Sequence, residues 1–229
     1  MGIRGRACIV AVIGALGMFL LGCNGGNVRE SQSISPPYTS PGIIAVVPFL
    51  VGRPDTTGQR LARCPRCEGY ISVGDIAPEG PGVVTSLFRQ KLGAAQYNLV
   101  APEMVAKALS SLRDLTEQPE MLVQQLAPEA RADSVLIGWV FRYSERVGGA
   151  LAVKKPASVA FVALLFQGKD GKLLWRGKFD ETQKPLSENA LNLASFFRRG
   201  GTWLTAKQLA ADGTNRLLLT FPDASSTRR

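Results

Sequence analysis

The segment 134–143 reads Ser-Val-Leu-Ile-Gly-Trp-Val-Phe-Arg-Tyr, and 158–167 reads Ser-Val-Ala-Phe-Val-Ala-Leu-Leu-Phe-Gln. Each is an almost continuous apolar run, which is the pattern of a strand buried on both faces. A third run of this kind, 43–51, ends at Gly52 and a following Arg-Pro pair. These runs predict the centre of one β-sheet that is covered on both sides.

Helical patterns surround these strands. Apolar residues recur at helical spacing in 81–95, 102–112 and 119–130, and each segment has a proline suited to the first turn of a helix. A short strand is predicted at 97–101, between the first two helices. A long segment without a sustained period, 52–82, is predicted to be a loop.

The strand predicted at 173–180 alternates between apolar and charged residues and follows a hairpin turn signal, Lys-Asp-Gly at 169–171. We expect it to be half exposed. The inward residues are Leu173, Trp175 and Phe179, and the outward ones are Arg176, Lys178 and Asp180. Adjacent Asp180 and Glu181 point to opposite faces and are predicted to form a solvated strand end, not a catalytic pair.

Two helices are predicted to close the chain. Ser187 can cap the first and Gly200 can end it, whereas Thr205 and Gln208 form a capping box that starts the second. The elements therefore run strand, helix, strand, two helices, three strands and further helices. This order predicts an α/β (α+β) fold, with a single mixed β-sheet and helices packed on it.

The amino terminus has the order of a secretory signal. Two arginines precede an apolar run, 7–21, and a Leu-Leu-Gly-Cys motif that ends at Cys23. The run is shorter than the roughly 20 residues that a membrane-spanning helix needs. The motif resembles the lipobox of bacterial lipoproteins, which implies cleavage before Cys23 and a lipid on that cysteine. Asn24 is not the aspartate of an inner-membrane retention signal, so the resemblance implies an outer-membrane anchor.

Composition then divides the chain into four parts. We expect a lipoprotein signal peptide at 1–22, a flexible tether rich in Gly, Ser, Asn and Pro at 23–41, a periplasmic α/β domain at 42–221, and a disordered polar tail at 222–229.

The charge of the chain is basic, and its residue types restrict the possible chemistry. The whole chain carries +9, or about +7 without the two signal arginines. Outside the cytoplasm such a charge favours phospholipid headgroups, lipopolysaccharide phosphates or cell-wall polymers over nucleic acid. The chain contains no histidine, which excludes Ser-His-Asp and Cys-His nucleophiles and the commonest metal ligand. No P-loop or zinc-protease motif is present, so we predict no enzyme and no cofactor.

Two core segments carry a wider resemblance. Residues 44–49 read Ile-Ala-Val-Val-Pro-Phe, and 132–138 read Ala-Asp-Ser-Val-Leu-Ile-Gly. Both resemble envelope lipoproteins whose domain is similar to the TolB amino-terminal domain, including the curli secretion lipoprotein and the penicillin-binding protein activator lipoproteins. The resemblance extends over 43–179. It implies a sheet-and-helix domain that binds or assembles other envelope components.

A pair of cysteines, Cys64 and Cys67, stands in the predicted loop. In an oxidising compartment their spacing favours a small structural disulfide. A redox pair and a zinc site remain alternatives: the redox motif normally begins a helix, and zinc would need further ligands such as Glu68, Asp75 or a second subunit.

Arginines are the best candidates for partner contacts. Those of the long loop are Arg53, Arg60, Arg63 and Arg66, where side chains are not required for packing. Arg198 and Arg199, before Trp203, form a second candidate patch, although they also suit a helix carboxyl terminus with Trp203 in the core.

Three functions follow from these features. The first is a non-enzymatic binding or assembly factor for another envelope component, similar to the cell-wall synthase activators. The second is a self-assembling ring of a curli-type secretion system, although charges in 145–155 interrupt the alternation of a membrane-crossing hairpin. The third is a redox or metal-binding protein that uses Cys64 and Cys67. An envelope protein partner or a homo-oligomer is therefore expected, and no nucleic acid.

Overall fold

The computed structural model describes residues 28–33, 40–54, 60–64, 66, 69–112, 118–149, 153–183 and 202–224. Its strands are β1 (Val28–Ser33), β2 (Ile44–Val46), β3 (Leu50–Val51), β4 (Leu61–Arg63), β5 (Tyr70–Ser72), β6 (Ser134–Ser144), β7 (Val147–Gly148), β8 (Val153–Lys155), β9 (Ser158–Gln167) and β10 (Leu173–Thr182). Its helices are α1 (Gly80–Ala94), α2 (Pro102–Ser110), α3 (Pro119–Ala130) and α4 (Ala206–Leu218).

One mixed sheet forms the centre of the domain. Its strand order is β1-β10-β9-β6-β2, and β3 also pairs with β6. The pairs β1–β10, β10–β9 and β9–β6 are antiparallel, whereas β2 and β3 run parallel to β6. The predicted α+β fold with a single mixed sheet is confirmed.

Both faces of this sheet are buried, as the long apolar runs predict. On β9, Phe161 and Leu165 pack into the core on the side of α1 and α4, while Val162 and Phe166 pack into the core on the side of α2 and α3. Alternate residues of one strand therefore serve two separate cores, because side chains in a strand point to opposite faces. This explains why the run has no polar face.

The helix predictions hold closely. The third helix has the predicted bounds, and Pro81 lies in the first turn of α1. The capping box of α4 is present: Thr205 Oγ1 accepts from the backbone N–H of Gln208, and the Gln208 side chain accepts from Thr205. None of the helices in the described ranges has the length and hydropathy needed to cross a membrane.

The prediction that β10 is half exposed is wrong. Trp175 and Phe179 are buried inward as predicted, but Lys178 on the other face is only 4% exposed. Glu181 is buried as well and lies 3.9 Å from Arg216 Nη1, so the strand end is not solvated. The reason is tertiary, since the β4–β5 hairpin covers the outer face and β1 pairs with the outer edge.

The predicted tether and loop also contain strands. Part of the segment 23–41 forms β1, because the open edge of β10 offers unpaired backbone groups that a further strand can satisfy. Within 52–82, three-residue strands form the β4–β5 hairpin, and these are too short to show a period. The strand predicted at 97–101 is reduced to a single bridge between Leu99 and Ile44.

The first residues of the predicted tail make hydrogen bonds with the domain. Tyr97 Oη donates to the carbonyl of Pro222 at 2.8 Å, and Ser40 Oγ donates to that of Ala224 at 3.3 Å. These contacts fasten 222–224 to the domain. Residues 225–229 and the helix predicted to start at Ser187 lie outside the described residues.

Candidate functional site

The β4–β5 hairpin presents one face to the sheet and the other to solvent. Ala62 and Ile71 are paired and buried against the sheet. Arg63 and Tyr70 are also paired, on the opposite face, where Tyr70 is 55% exposed and Leu61 is 45% exposed. We call Leu61, Arg63 and Tyr70 the hairpin face. It combines an aliphatic, a cationic and an aromatic side chain on one small surface.

Alternate side chains of β10 fasten the hairpin backbone. Lys178 Nζ donates to the carbonyl of Tyr70 at 2.7 Å, and Asp180 Oδ2 accepts from the backbone N–H of Ser72 at 3.1 Å. Arg176 Nη1 donates to the carbonyl of Arg66 at 3.3 Å. The row of charges that the sequence places outward therefore does point outward, where it binds the hairpin backbone.

A nearly buried ion pair completes this attachment. Arg142 Nη2 lies 2.6 Å from Asp180 Oδ1, and the two side chains are 11% and 14% exposed. Arg142 Nη1 donates to the carbonyl of Ser72 at 2.8 Å, and Nε donates to Ser158 Oγ. The ion pair therefore holds both backbone groups of Ser72, which fixes the position of β5 over the sheet. A Cβ at Gly74 would lie 2.7 Å from Arg142 Cδ, so a larger residue there would displace the aliphatic part of the Arg142 side chain.

A cleft of about 500 Å³ lies beside Arg142. Arg60, Asp75 and Lys155 line it, together with hydroxyl groups such as that of Thr182. Lys155 Nζ is 3.5 Å from Asp75 Oδ2, and both side chains are well exposed, so water screens this pair. The cleft is open and polar.

The structure distributes the four loop arginines over different surroundings. Arg63 lies on the hairpin face, Arg60 lies in the cleft, and Arg66 lies at the hairpin turn with φ 55°, paired with Glu120 of α3. Arg53 follows β3 and lines a separate depression beside Trp139. The hairpin therefore brings three of the four onto one element. Arg198 and Arg199 lie outside the described residues, while Trp203 is buried, as its core alternative predicts.

The described residues include one of the two loop cysteines. Cys64 is buried after β4, and its backbone N–H donates to the carbonyl of Gly69 at 3.1 Å, which closes the turn. Cys67 and the proposed lipid-bearing Cys23 lie outside the described residues, so the disulfide, its redox and zinc alternatives and the lipidation stay predictions. In the described ranges, no three His, Cys, Asp or Glu side chains group to hold a metal ion.

Two tyrosines have raised pKa values. Burial raises the pKa of Tyr143 to about 12, and the carboxylates of Glu145 and Glu79 add to the effect. Burial also raises the pKa of Tyr97, with a further contribution from Asp223. Both side chains are therefore neutral phenols at physiological pH, and neither can act there as a base.

Sequence reasoning missed Arg142 and the exposed Tyr70 and Leu61, and it placed Lys178 outward without its contact to the hairpin. Arg142 gives the clearest signal, because it is the one charged residue in the apolar segment 134–143. A charge in such a segment needs a partner, but the sequence does not identify Asp180, which follows it by 38 residues, as that partner.

Comparisons with known proteins give likeness only at the level of structure. No protein-family model matches the chain, and no curated protein matches it. The PelC dodecamer from Paraburkholderia phytofirmans is similar over 88% of this chain and 100% of its own, with 13% identity and a TM-score of 0.45. Lipoprotein GNA1162 from Neisseria meningitidis is similar over 70% and 94%, with 18% identity and a TM-score of 0.43.

The LpoB carboxy-terminal domain from Salmonella enterica is similar over 63% of this chain and 85% of its own, with 15% identity and a TM-score of 0.35. One of these neighbours, GNA1162, is a lipoprotein. With TM-scores below 0.5, they assign no function to this chain.

Proposed function

We propose that the chain is an outer-membrane lipoprotein, anchored through Cys23, whose periplasmic domain is a non-enzymatic binding or assembly factor for another component of the cell envelope. The lipobox supports the location. The observation that carries the binding role is the hairpin face, which projects Leu61, Arg63 and Tyr70 from a hairpin that charged side chains fasten to the sheet.

Rigidity favours this role. A side chain that must be ordered on binding weakens association, so a recognition surface that is ordered beforehand binds more tightly. The two backbone groups of Ser72 are held by Arg142 and Asp180, and the carbonyl of Tyr70 is held by Lys178. These contacts fix the backbone beneath the hairpin face.

The residue types favour a protein partner. Tyrosine and arginine are enriched among the residues that dominate binding energy in protein interfaces, and an exposed leucine adds apolar contact. Segment 60–72 contains three arginines and one acidic residue, Glu68, in a chain of net positive charge. We therefore expect a partner surface with carboxylates around an apolar contact.

Crosslinking in cells tests the proposal directly. A photoreactive residue is placed at Arg63 or Tyr70 of the lipidated protein, and the products are identified by mass spectrometry. A matched control probe goes at Leu219, which is 84% exposed at the end of α4 on the other side of the sheet. A further probe at Arg199 tests the closing basic patch.

We expect a discrete envelope protein to be captured from Arg63 and Tyr70 but not from Leu219. A regular ladder of self-crosslinks would contradict a factor that binds another component and would favour the self-assembling ring of a curli-type system. Identical products from the Leu219 probe would contradict a specific hairpin face.

Charge reversal and thiol chemistry give independent tests. Arg63→Glu should remove the captured partner, whereas Lys107→Glu, on an exposed position of α2, should not. The unfolding midpoint of each variant is measured alongside, and a loss of capture counts only where the variant remains folded. For Cys64 and Cys67, we expect no thiol labelling without a reductant and two labelled thiols with one. Loss of the partner in Cys64→Ser without loss of folding would favour the redox or metal alternative.

A further inference from the structure

The first strand sets where the lipid anchor meets the domain. Val28 pairs with Asp180 and Ser33 pairs with Trp175, so β1 enters the sheet at the end where β10 finishes. Cys23 precedes Val28 by five residues, and five Cα–Cα steps reach at most about 18 Å. If Cys23 carries the lipid, as proposed above, this end of the sheet is kept close to the membrane.

The β7–β8 ribbon belongs to the same end. Ser158 pairs with both Thr182 and Ser144, so the last residues of β6 and β10 lie beside the first residue of β9. The β7–β8 ribbon extends the β6–β9 hairpin beyond this end of the sheet. The opposite end carries the β9–β10 turn at Lys169. A ten-residue β9 is about 30 Å long, so the two ends are clearly separated.

The ribbon has the residue types of a headgroup contact. Val147 is 53% exposed and pairs with Lys155, and both Lys155 and its neighbour Lys154 are exposed. Arg60 lines the adjoining cleft. Basic side chains near an anionic leaflet are attracted to its phosphates, while an exposed apolar side chain can enter the interface.

Some of the acidic side chains at this end of the sheet already form hydrogen bonds or ion pairs within the domain. Both carboxylate oxygens of Glu145 accept from the backbone N–H of Ala206 at the start of α4, at 3.1 and 3.0 Å. Asp75 lies beside Lys155, and Glu79 is exposed before α1. Arg146 also lies here and donates to the carbonyl of Trp203.

We propose that the β7–β8 ribbon, through Val147, Lys154 and Lys155, rests on the anionic phospholipid surface in which Cys23 is anchored. The inference depends on the lipid anchor of the proposed function but not on the partner. In this arrangement the domain is held against the bilayer and is not free on a long tether, and the end of the sheet at Lys169 faces away from the membrane.

Fluorescence quenching tests this orientation. A fluorescent amino acid is incorporated at Lys154, or at Lys169 as the control, in the full lipidated protein. The protein is reconstituted in vesicles of phosphatidylethanolamine and phosphatidylglycerol that contain a headgroup spin-labelled lipid. We expect strong quenching at 154 and little at 169. Equal quenching at both positions, or stronger quenching at 169, would overturn the proposal.

Charge changes make the test specific. With the fluorophore at Val147, the double change Lys154→Glu and Lys155→Glu is tested. It should lower the population with the ribbon on the membrane, relative to all other orientations, by roughly fivefold or more for each lysine. Lys169→Glu should leave it unchanged. Replacing phosphatidylglycerol by phosphatidylcholine should have the same effect as the charge reversal, and unchanged quenching in these vesicles would contradict the anionic contact.

Acyl labelling of Cys23 separates the two proposals. Absence of label would contradict the lipid anchor and with it both proposals. A labelled protein that is quenched only at 169 would contradict the orientation alone. A labelled protein quenched at 154 that captures no partner through Arg63 would contradict the binding role alone.

Discussion

Replacing Asp180 by alanine should destabilise the domain strongly, because it leaves the charge of Arg142 buried without its partner. Removing one member of a buried ion pair costs about 3–5 kcal/mol. The two side chains here keep 11% and 14% of their exposure, so we expect the lower end, about 3 kcal/mol. The lost hydrogen bond to the Ser72 N–H acts in the same direction.

The Asp75–Lys155 pair provides a matched control. It joins the same kinds of charge at 3.5 Å, but both side chains are well exposed. Exposed pairs contribute about 0–1 kcal/mol, so Asp75→Ala should change the free energy of unfolding by a few tenths of a kcal/mol. The comparison therefore contrasts a buried ion pair that also holds the hairpin backbone with an exposed ion pair.

Urea unfolding followed by circular dichroism measures both variants. A double variant, Arg142→Met with Asp180→Ala, should cost less than the sum of the single changes by about 1–3 kcal/mol, since no charge is left unpaired. Hydrogen exchange at the Ser72 amide should also lose its protection in Asp180→Ala. Equal losses for Asp180→Ala and Asp75→Ala, or additive single changes, would refute the reasoning.

Three further predictions concern single residues. Tyr143 has a pKa raised to about 12 against 10.0 in the unfolded chain, so its contribution to stability is complete below pH 10 and is lost as the pH rises towards 12. Tyr143→Phe should therefore remove part of the fall in the free energy of unfolding between pH 10 and pH 12. An unchanged pH dependence in this variant would contradict the prediction. Thr205→Ala should cost about 1 kcal/mol through loss of the α4 cap, and Thr205→Ser should restore most of it in the same urea assay. Gly138→Ala places a Cβ 2.1 Å from the ring of Phe49 and should cost about 1–3 kcal/mol, whereas a second change of Phe49→Leu should recover part of that loss if the clash is the cause.

The elements predicted best are those whose signal is local. A proline in the first turn, a capping box and a two-sided apolar run depend on neighbours within a few residues, and α1, α3, α4, β6 and β9 follow them. The hairpin β4–β5 has no such signal. Its strands have three residues each. It is held by the burial of Ala62 and Ile71 and by the side chains of Arg142, Lys178 and Asp180, which bind its backbone.

The candidate binding surface divides in the same way. Arginines on the segment 52–82 could be recognised from the sequence as available for contacts. The sequence could not show which of these arginines share a surface. Strand pairing places Arg63 beside Tyr70, whereas Arg66 forms an ion pair with Glu120 of α3. The long-range partner of a charge depends on packing that composition does not describe.

The amino-acid sequence by itself determined the two-sided sheet, most helix bounds, the prediction of a lipid anchor and the absence of histidine chemistry. Each of these depends on residue type, short spacing or chain order. Only the tertiary structure decided that β1 occupies the outer edge of β10, that the charges of β10 fasten a hairpin, and that the β7–β8 ribbon and the start of β1 share one end of the sheet. These features require segments distant in the chain to meet, and their free energy comes from groups that have no contact until the sheet is assembled.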